Sequence, residues 1–333
     1  ESSHWMDFLK PEDIPILKKM VAQFEGEESA GHFEFWANHP CAETWVWRDG
    51  RKAPAAFVMR IDSHKLADSA GNIPDRVVRQ IVDYQKRNLH LRSGEQCAVF
   101  RFWMAKDAYQ GISDLQSAVF LAIIQYYFSP GLAAHFLVTA QPQFWLPVFA
   151  YGDLQYVPEL DFSANRMPMG FFMHDWRKRP PIAWLDLLGK REIDANTGTE
   201  TPLEVPKIQL VVLSEEGFED AVDLALRGYY TGQDLEKNPL LASRIIIKET
   251  GMDSNEGVRI DKLKTKISSA IKDIETSPLD GKYHRVLYRT FINPVGSQEK
   301  TADFLNMSFS TYRRYLKTGM EKVVERLWKE EVE

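Results

Sequence analysis

Hydrophobic positions follow two regimes along the chain. Up to about residue 188, compact apolar runs alternate with stretches at helical spacing. Pro11, Glu12 and Asp13 precede Ile14, Leu17, Val21 and Phe24, whose spacing predicts a helix from Pro11 to Phe24. Residues 43–61 read as two strands around an Asp49-Gly50 turn, with a connection longer than a tight hairpin. A helix over Ile73–Tyr84 and an apolar strand over Glu95–Ala105 come next. A turn then feeds a long apolar helix ending near Phe128, followed by a strand at Ala133–Ala140, a helix from Pro142 to Leu154 and a strand from Arg166 to Trp176. Interleaved helices and strands predict a mixed-sheet α/β domain over residues 1–188.

The polar interval Gly189–Pro206 carries turn formers and little periodicity, and is the expected linker. Beyond it the spacing is almost entirely helical. Ser214 can cap a helix whose first turn holds Glu215 and Glu216, and helical segments follow at residues 238–250, 258–275 and 280–292. The expected class is therefore α+β, a mixed sheet with flanking helices followed by a mainly α domain over residues 207–333.

At the C-terminus Ser297 can cap a short helix with Ala302 and Leu305 inward, and Ser308 a second helix running to about Trp328. On that second helix Tyr312, Leu316, Met320, Val323 and Leu327 form one apolar stripe. Ser310, Arg313, Arg314 and Lys317 share a different face, with Thr311 beside it. A short helix, a tight turn and a helix with a polar, basic N-terminal half is a geometry that can enter a major groove, where guanidinium groups read guanine edges or clamp phosphates.

Charge makes that face stand out. The chain has 333 residues, 44% of them apolar, and a formal charge of −6, so nothing attracts it as a whole to nucleic acid or to an anionic membrane. Any such binding must be local. Its length suits two domains. Two cysteines, Cys41 and Cys97, and no secretory signal point to a reducing, cytoplasmic setting without a disulfide framework. The longest apolar stretch, Ser117–Phe128, is too short to span a bilayer. The chain opens on Glu1, which suits a processed form or a piece of a longer protein.

The run from Gln298 to Val323 resembles the helix-turn-helix of sigma-factor region 4 and LuxR-type regulators, where Q-E-x-x-A-x-x-L, a short turn, S-x-S-T and a basic helix succeed one another. The resemblance covers about the last 40 residues, residues 297–328 at its centre. It implies Ala302 as the small helix-contact residue and Ser310, Thr311, Arg313, Arg314 and Lys317 as the DNA-binding set. Such units also serve as protein docking modules, and the acidic tail at 328–333 would weaken nonspecific DNA affinity.

The order of elements over residues 5–188 resembles the GNAT family of N-acetyltransferases. In that family a Q/R-x-x-G-x-G/A motif after the fourth strand cradles the pyrophosphate of acetyl-CoA on backbone N–H groups and a helix N-terminus. Here the matching residues are Ala108, Tyr109, Gln110, Gly111, Ile112 and Ser113. Gly111 is retained, Ala108 replaces the leading Gln or Arg, and Ser113 is followed by Asp114, a negative charge close to where a pyrophosphate would sit. The resemblance thus implies Tyr109, Gln110, Gly111 and Ser113 as residues for acetyl-CoA if it binds. The same residues also suit a plain strand-to-helix turn. Where many members carry a tyrosine acid this chain has Phe149, which cannot donate a proton, or Tyr151 if the alignment is shifted by two residues.

Shorter segments, including residues 95–120, 173–188 and 309–316, resemble the C-terminal halves of large bacterial ATP-binding regulatory proteins. That would place a nucleotide-binding part upstream of Glu1 or on a partner. The combined expectation is a bacterial cytoplasmic DNA-binding regulator or docking module with a degenerate acetyltransferase-like domain and no catalytic residue assigned. Two alternatives stay open, an active N-acetyltransferase using acetyl-CoA and a protein adaptor without DNA binding. His39 and Cys41 lack a second ligand pair for zinc, and His174 and Asp175, adjacent on a strand, point to opposite faces. No Walker A loop, dinucleotide fingerprint or nucleophile elbow occurs.

Overall fold

The computed structural model describes residues 4–66, 70–197, 210–275 and 279–332. The chain divides into two compact units, Glu1–Thr201 and Pro202–Glu333. Among the described residues no helix is long and apolar enough to cross a membrane.

The first unit is built on a mixed sheet. Its strands are β1 (Trp5–Phe8), β2 (Ala42–Arg48), β3 (Pro54–Asp62), β4 (Gln96–Ala105), β5 (Leu132–Ala140), β6 (Gln155–Tyr156), β7 (Phe162–Ala164) and β8 (Met167–Asp175). They are ordered β1-β2-β3-β4-β5-β8-β6, with β7 also on β8. All neighbours are antiparallel except β4 and β5, which run parallel. Helices α1 (Ile14–Ala37) and α2 (Arg76–Asn88) cover one face, where Phe33, Trp36, Val78 and Ile81 pack on Phe102, Phe136 and Phe171. Helices α3 (Asp114–Tyr126), α4 (Pro142–Tyr151) and α5 (Pro181–Thr197) cover the other with Trp103, Trp145, Phe149, Phe172, Trp176 and Trp184. Both faces of the sheet are buried, which explains the nearly continuous apolar runs of β4 and β5.

Three local features depart from the sequence pattern. Strand β1 has no signature in that pattern; it is held on β2 by Arg48, whose guanidinium pairs in bidentate fashion with Asp13 (2.8 and 2.7 Å) and with Asp7 (2.9 Å). Helix α1 continues thirteen residues past Phe24 but is broken at Gly26, where φ is +88°, a conformation that glycine adopts without steric cost. Helix α5 runs through residues 189–197, in place of the first half of the expected linker. Helix-forming Lys190, Arg191 and Glu192 extend it, Arg191 donates to the Tyr151 carbonyl and Glu192 accepts from the Tyr151 hydroxyl. The rest of that interval, 198–206, lies outside the described residues.

The second unit is helical, with α6 (Glu215–Gly228), α7 (Arg244–Thr250), α8 (Glu256–Ile274), α9 (Gly281–Leu287) running into a π-helical turn (Tyr288–Ile292), α10 (Gln298–Phe304) and α11 (Phe309–Val332). Its core gathers Phe218, Val222, Leu263, Ile267, Val286, Leu287 and the stripe of α11. That stripe is Tyr312, Leu316, Gly319, Val323 and Leu327. Gly319 occupies its centre instead of Met320 because α9 comes close enough to leave no room for a larger residue: a Cβ at Gly319 would lie 3.0 Å from the Leu287 side chain. Ser214 and Ser297 cap α6 and α10, and the Ser308 hydroxyl accepts from the Thr311 amide at the start of α11.

Candidate functional site

Strand β4 carries an irregularity that shapes the first unit. Arg60 of β3 faces Phe100 and Met59 faces Phe102, so Arg101 is the extra residue of a β-bulge. The bulge turns Arg101 and Phe102 to the α1 side of the sheet. Arg101 is buried, and its Nε donates to Asp75 Oδ2 (3.1 Å) while Nη1 meets Glu25 Oε2 (3.5 Å). Asp75 also accepts from Trp36 Nε1 (3.0 Å) and from the Val77 amide (3.0 Å), with His32 Nδ1 at 3.8 Å. Glu25 accepts from the Tyr109 hydroxyl at 3.1 Å.

The two carboxylates respond differently. Burial acts against ionisation of both, and for Asp75 the field of Arg101 and His32 with the Trp36 hydrogen bond outweighs it, holding the carboxyl below its ordinary range. For Glu25 burial dominates, partly countered by Arg101 and reinforced by Asp75, and its carboxyl is pushed up. Glu25 and Arg101 line a cavity of about 510 Å³ together with Gly26, His32, Arg76, Asp161 and Asn165. Sequence reasoning singled out none of Glu25, Asp75 or Arg101. The one available signal is an arginine inside the apolar run of β4, which burial obliges to find acidic partners.

Beyond the bulge β4 and β5 part: their pairing ends at Phe100 and Leu137, although β4 continues to Ala105 and β5 to Ala140. Three polar groups of the separated strands are met from within the chain. Trp103 Nε1 donates to the Val138 carbonyl (2.6 Å), and the buried Gln110 side chain accepts from the Ala140 amide (2.7 Å) and the Thr139 hydroxyl (3.2 Å). The turn after β4 folds back on itself, with Tyr109 and Ala105 exchanging backbone bonds (2.7 and 2.8 Å) and the Gly111 amide donating to the Ala108 carbonyl (2.8 Å). A Cβ at Gly111 would lie 2.9 Å from that same carbonyl oxygen, so closure of the turn accounts for the glycine. Ser113 caps α3 by accepting from the Gln116 amide (3.1 Å), and Asp114 sits in the first turn.

The four residues expected to hold acetyl-CoA thus lie together on one turn, but Tyr109 and Gln110 point into the protein and two of the turn's amides are committed. As folded, the Tyr109 and Gly111 amides are closed to a pyrophosphate, while the buried Gln110 Nε2 has no hydrogen-bond partner among the described residues. Phe149 is packed in the core, and Tyr151 is exposed and bonded to Glu192 (2.7 Å). His174 contacts the carbonyl oxygens of Asp153 (2.7 Å) and Arg179 (3.0 Å), while Asp175 pairs with Arg177 (2.8 Å). His39 Nδ1 accepts from the Cys41 amide (3.2 Å).

In the second unit Ser310, Arg313, Arg314 and Lys317 are exposed on one side of α11, with Thr311 half-buried. Arg313 lies over the Phe309 ring (6.0 Å), Arg314 over Tyr315 (5.4 Å), and Lys317 approaches Glu321 (3.9 Å). Between Gly281 and Met320 seven Lys or Arg accompany two Asp or Glu, in a chain that is acidic as a whole. One flank of the face adjoins Glu219, Asp220 and Asp223 of α6 across a groove.

No protein-family model and no curated protein matches the chain. Solved structures similar to it include NAA60 from Arabidopsis thaliana in complex with acetyl-CoA (10% identity, 52% of this chain and 98% of that one, TM-score 0.36). FeeM, an N-acyl amino acid synthase from uncultured soil microbes, is 12% identical over 56% of this chain and 100% of its own, with a TM-score of 0.38. Mutant forms of the spermidine/spermine N-acetyltransferase SpeG from Vibrio cholerae are 11% identical over 55% of this chain and 96% of their own, with a TM-score of 0.34.

Proposed function

We propose that this chain is a DNA-binding regulatory module in which α11 reads duplex DNA and the GNAT-like unit is retained without acyl transfer. One observation carries the reading: the first turns of α11 bury Tyr312 and Leu316 while leaving Ser310, Arg313, Arg314 and Lys317 in solvent. An anion facing them would give an acidic protein a use for such a cluster of exposed guanidinium groups, and the preceding short helix and tight turn support a helix-turn-helix reading, in which such a helix is presented to a major groove. The Asp and Glu side chains of α6 border one flank, so phosphates would follow the opposite one.

For the first unit, supporting observations are the Tyr109 and Gly111 amides bonded within the turn, the Gln110 side chain between β4 and β5, and the buried Phe149. An acyltransferase that used the Tyr109 and Gly111 amides would need that turn to open, and a ligand entering the gap between β4 and β5 would have to expel Gln110.

The decisive experiment is binding of the chain to duplex DNA over a range of salt, beside the Arg313→Ala/Arg314→Ala variant. Each lost phosphate contact lowers the slope of log affinity against log salt by about 0.9, so the double variant should lose up to about two units of slope. Equal slopes and affinities for the two proteins would refute the assignment.

A further inference from the structure

Beside the reading face lies a second surface that duplex recognition does not use. Phe304 ends α10 and Phe309 begins α11, and both are exposed, 53% and 39%. Tyr288, 37% exposed, opens the π-helical turn before α10. Arg289 from the same turn stands over Phe304 (5.1 Å) and over Tyr288 (5.6 Å), as Arg313 does over Phe309. A π-helical turn is rare and recurs at functional sites, and this one begins with Tyr288 and Arg289. It is fixed from behind by the Thr290 hydroxyl, which meets the Tyr312 hydroxyl at 2.9 Å.

Resting on the DNA-binding reading, we infer that Tyr288, Arg289 and Phe304 form a stacking shelf for unpaired or unstacked DNA bases next to the duplex that α11 grips. Charge and ring chemistry together select this occupant. Rings interleaved with guanidinium groups are what single-stranded nucleic acid requires, since every base has a π-face and every linkage a negative charge. A protein partner for the same rings would have to be acidic as well as apolar. Phenylalanines flanking a turn can also act as wedges that unstack a base step.

The test compares the affinity of the full chain, at one salt concentration, for a labelled duplex and for the same sequence carrying a central unpaired bubble. The proteins are wild type, Phe304→Ala and Phe304→Tyr. A 2-aminopurine in the bubble reports stacking by quenching. One stacked base should favour the bubble by about fivefold to a hundredfold. Phe304→Ala should remove that advantage and the quenching while leaving duplex affinity within about twofold, and Phe304→Tyr should keep both. Because Phe304 is half exposed the variant should fold, which thermal unfolding checks. Duplex bound without preference for the bubble, or an equal loss on both substrates in Phe304→Ala, overturns the shelf alone. Absence of binding to either DNA overturns the shelf together with the reading it rests on.

Discussion

Replacing Arg101 by Met isolates the buried charge cluster under the β4 bulge. The substitution keeps most of the side-chain length and removes the cation between Asp75 and Glu25. Both carboxylates are buried, so removal of their shared partner leaves uncompensated charge and should cost about 3–5 kcal/mol. The triple variant Arg101→Met/Glu25→Gln/Asp75→Asn removes the charges together and should recover most of that loss, since a neutralised set of similar volume is often as stable as the ion cluster. Urea unfolding followed by tryptophan fluorescence is the assay, because eight of the nine tryptophans precede Thr201. The sign of the pH effect is fixed too. Glu25 already ionises less readily than in the unfolded chain, so the folded state holds the extra proton and this group's penalty is relieved as pH falls through its folded pKa. Without Arg101 that pKa rises further and the depression of Asp75 is lost. The deficit should therefore be larger at about pH 8 than at about pH 5. A loss below about 1 kcal/mol, or a triple variant no more stable than the single one, would show that the cluster is not a mutually compensated set.

Two further outcomes test the other readings. Saturating acetyl-CoA should leave the thermal unfolding midpoint unchanged, whereas a ligand held at 100 times its Kd would stabilise by about 2.7 kcal/mol, a shift of several degrees that would restore the acyltransferase alternative. Gly319→Ala should destabilise the helical unit, because overpacking against Leu287 at about 1–3 kcal/mol outweighs the roughly 1 kcal/mol that alanine gains over glycine within a helix; a variant more stable by far-UV circular dichroism melting would contradict the packing described for α9 and α11.

Where an element's signal is local, the sequence discloses it. The strands about Asp49-Gly50, the apolar β4 and β5, and the serine-capped helices of the second unit are all readable from period and capping. The missing pieces depend on distant partners. Strand β1 is too short to be specified by its own pattern and depends on Arg48 reaching Asp7 and Asp13, about 35 to 41 residues away in sequence. The bulge at Arg101 changes which face each β4 residue takes without changing its composition, and Glu25, Asp75 and Arg101 meet only because α1, α2 and β4 converge. The helix read from the spacing stops at Phe24, because the second segment of α1 resumes only after the non-helical Gly26. The Tyr109–Ser113 turn is legible as a unit, but whether its amides point to a ligand or to the chain itself is a tertiary property.

That last distinction weighs the two units against each other as binding elements. An anion that recruited the Tyr109 or Gly111 amide would have to break its backbone bond, and one that displaced Gln110 would strand the buried Ala140 amide at a cost of about 1–3 kcal/mol. An anion approaching α11 displaces much less. The Lys317–Glu321 pair is exposed and 3.9 Å long, the kind of contact worth about 0–1 kcal/mol, and Arg313 and Arg314 keep their aromatic contacts while their outer N–H groups are in water. Charge-assisted bonds from those groups to phosphate are about twice as strong as neutral ones and need no rearrangement of the fold. On this comparison the exposed face of α11 could meet an anion with less rearrangement than the Tyr109 and Gly111 amides or the Gln110 side chain, although the sequence places a phosphate-binding resemblance in the N-terminal unit.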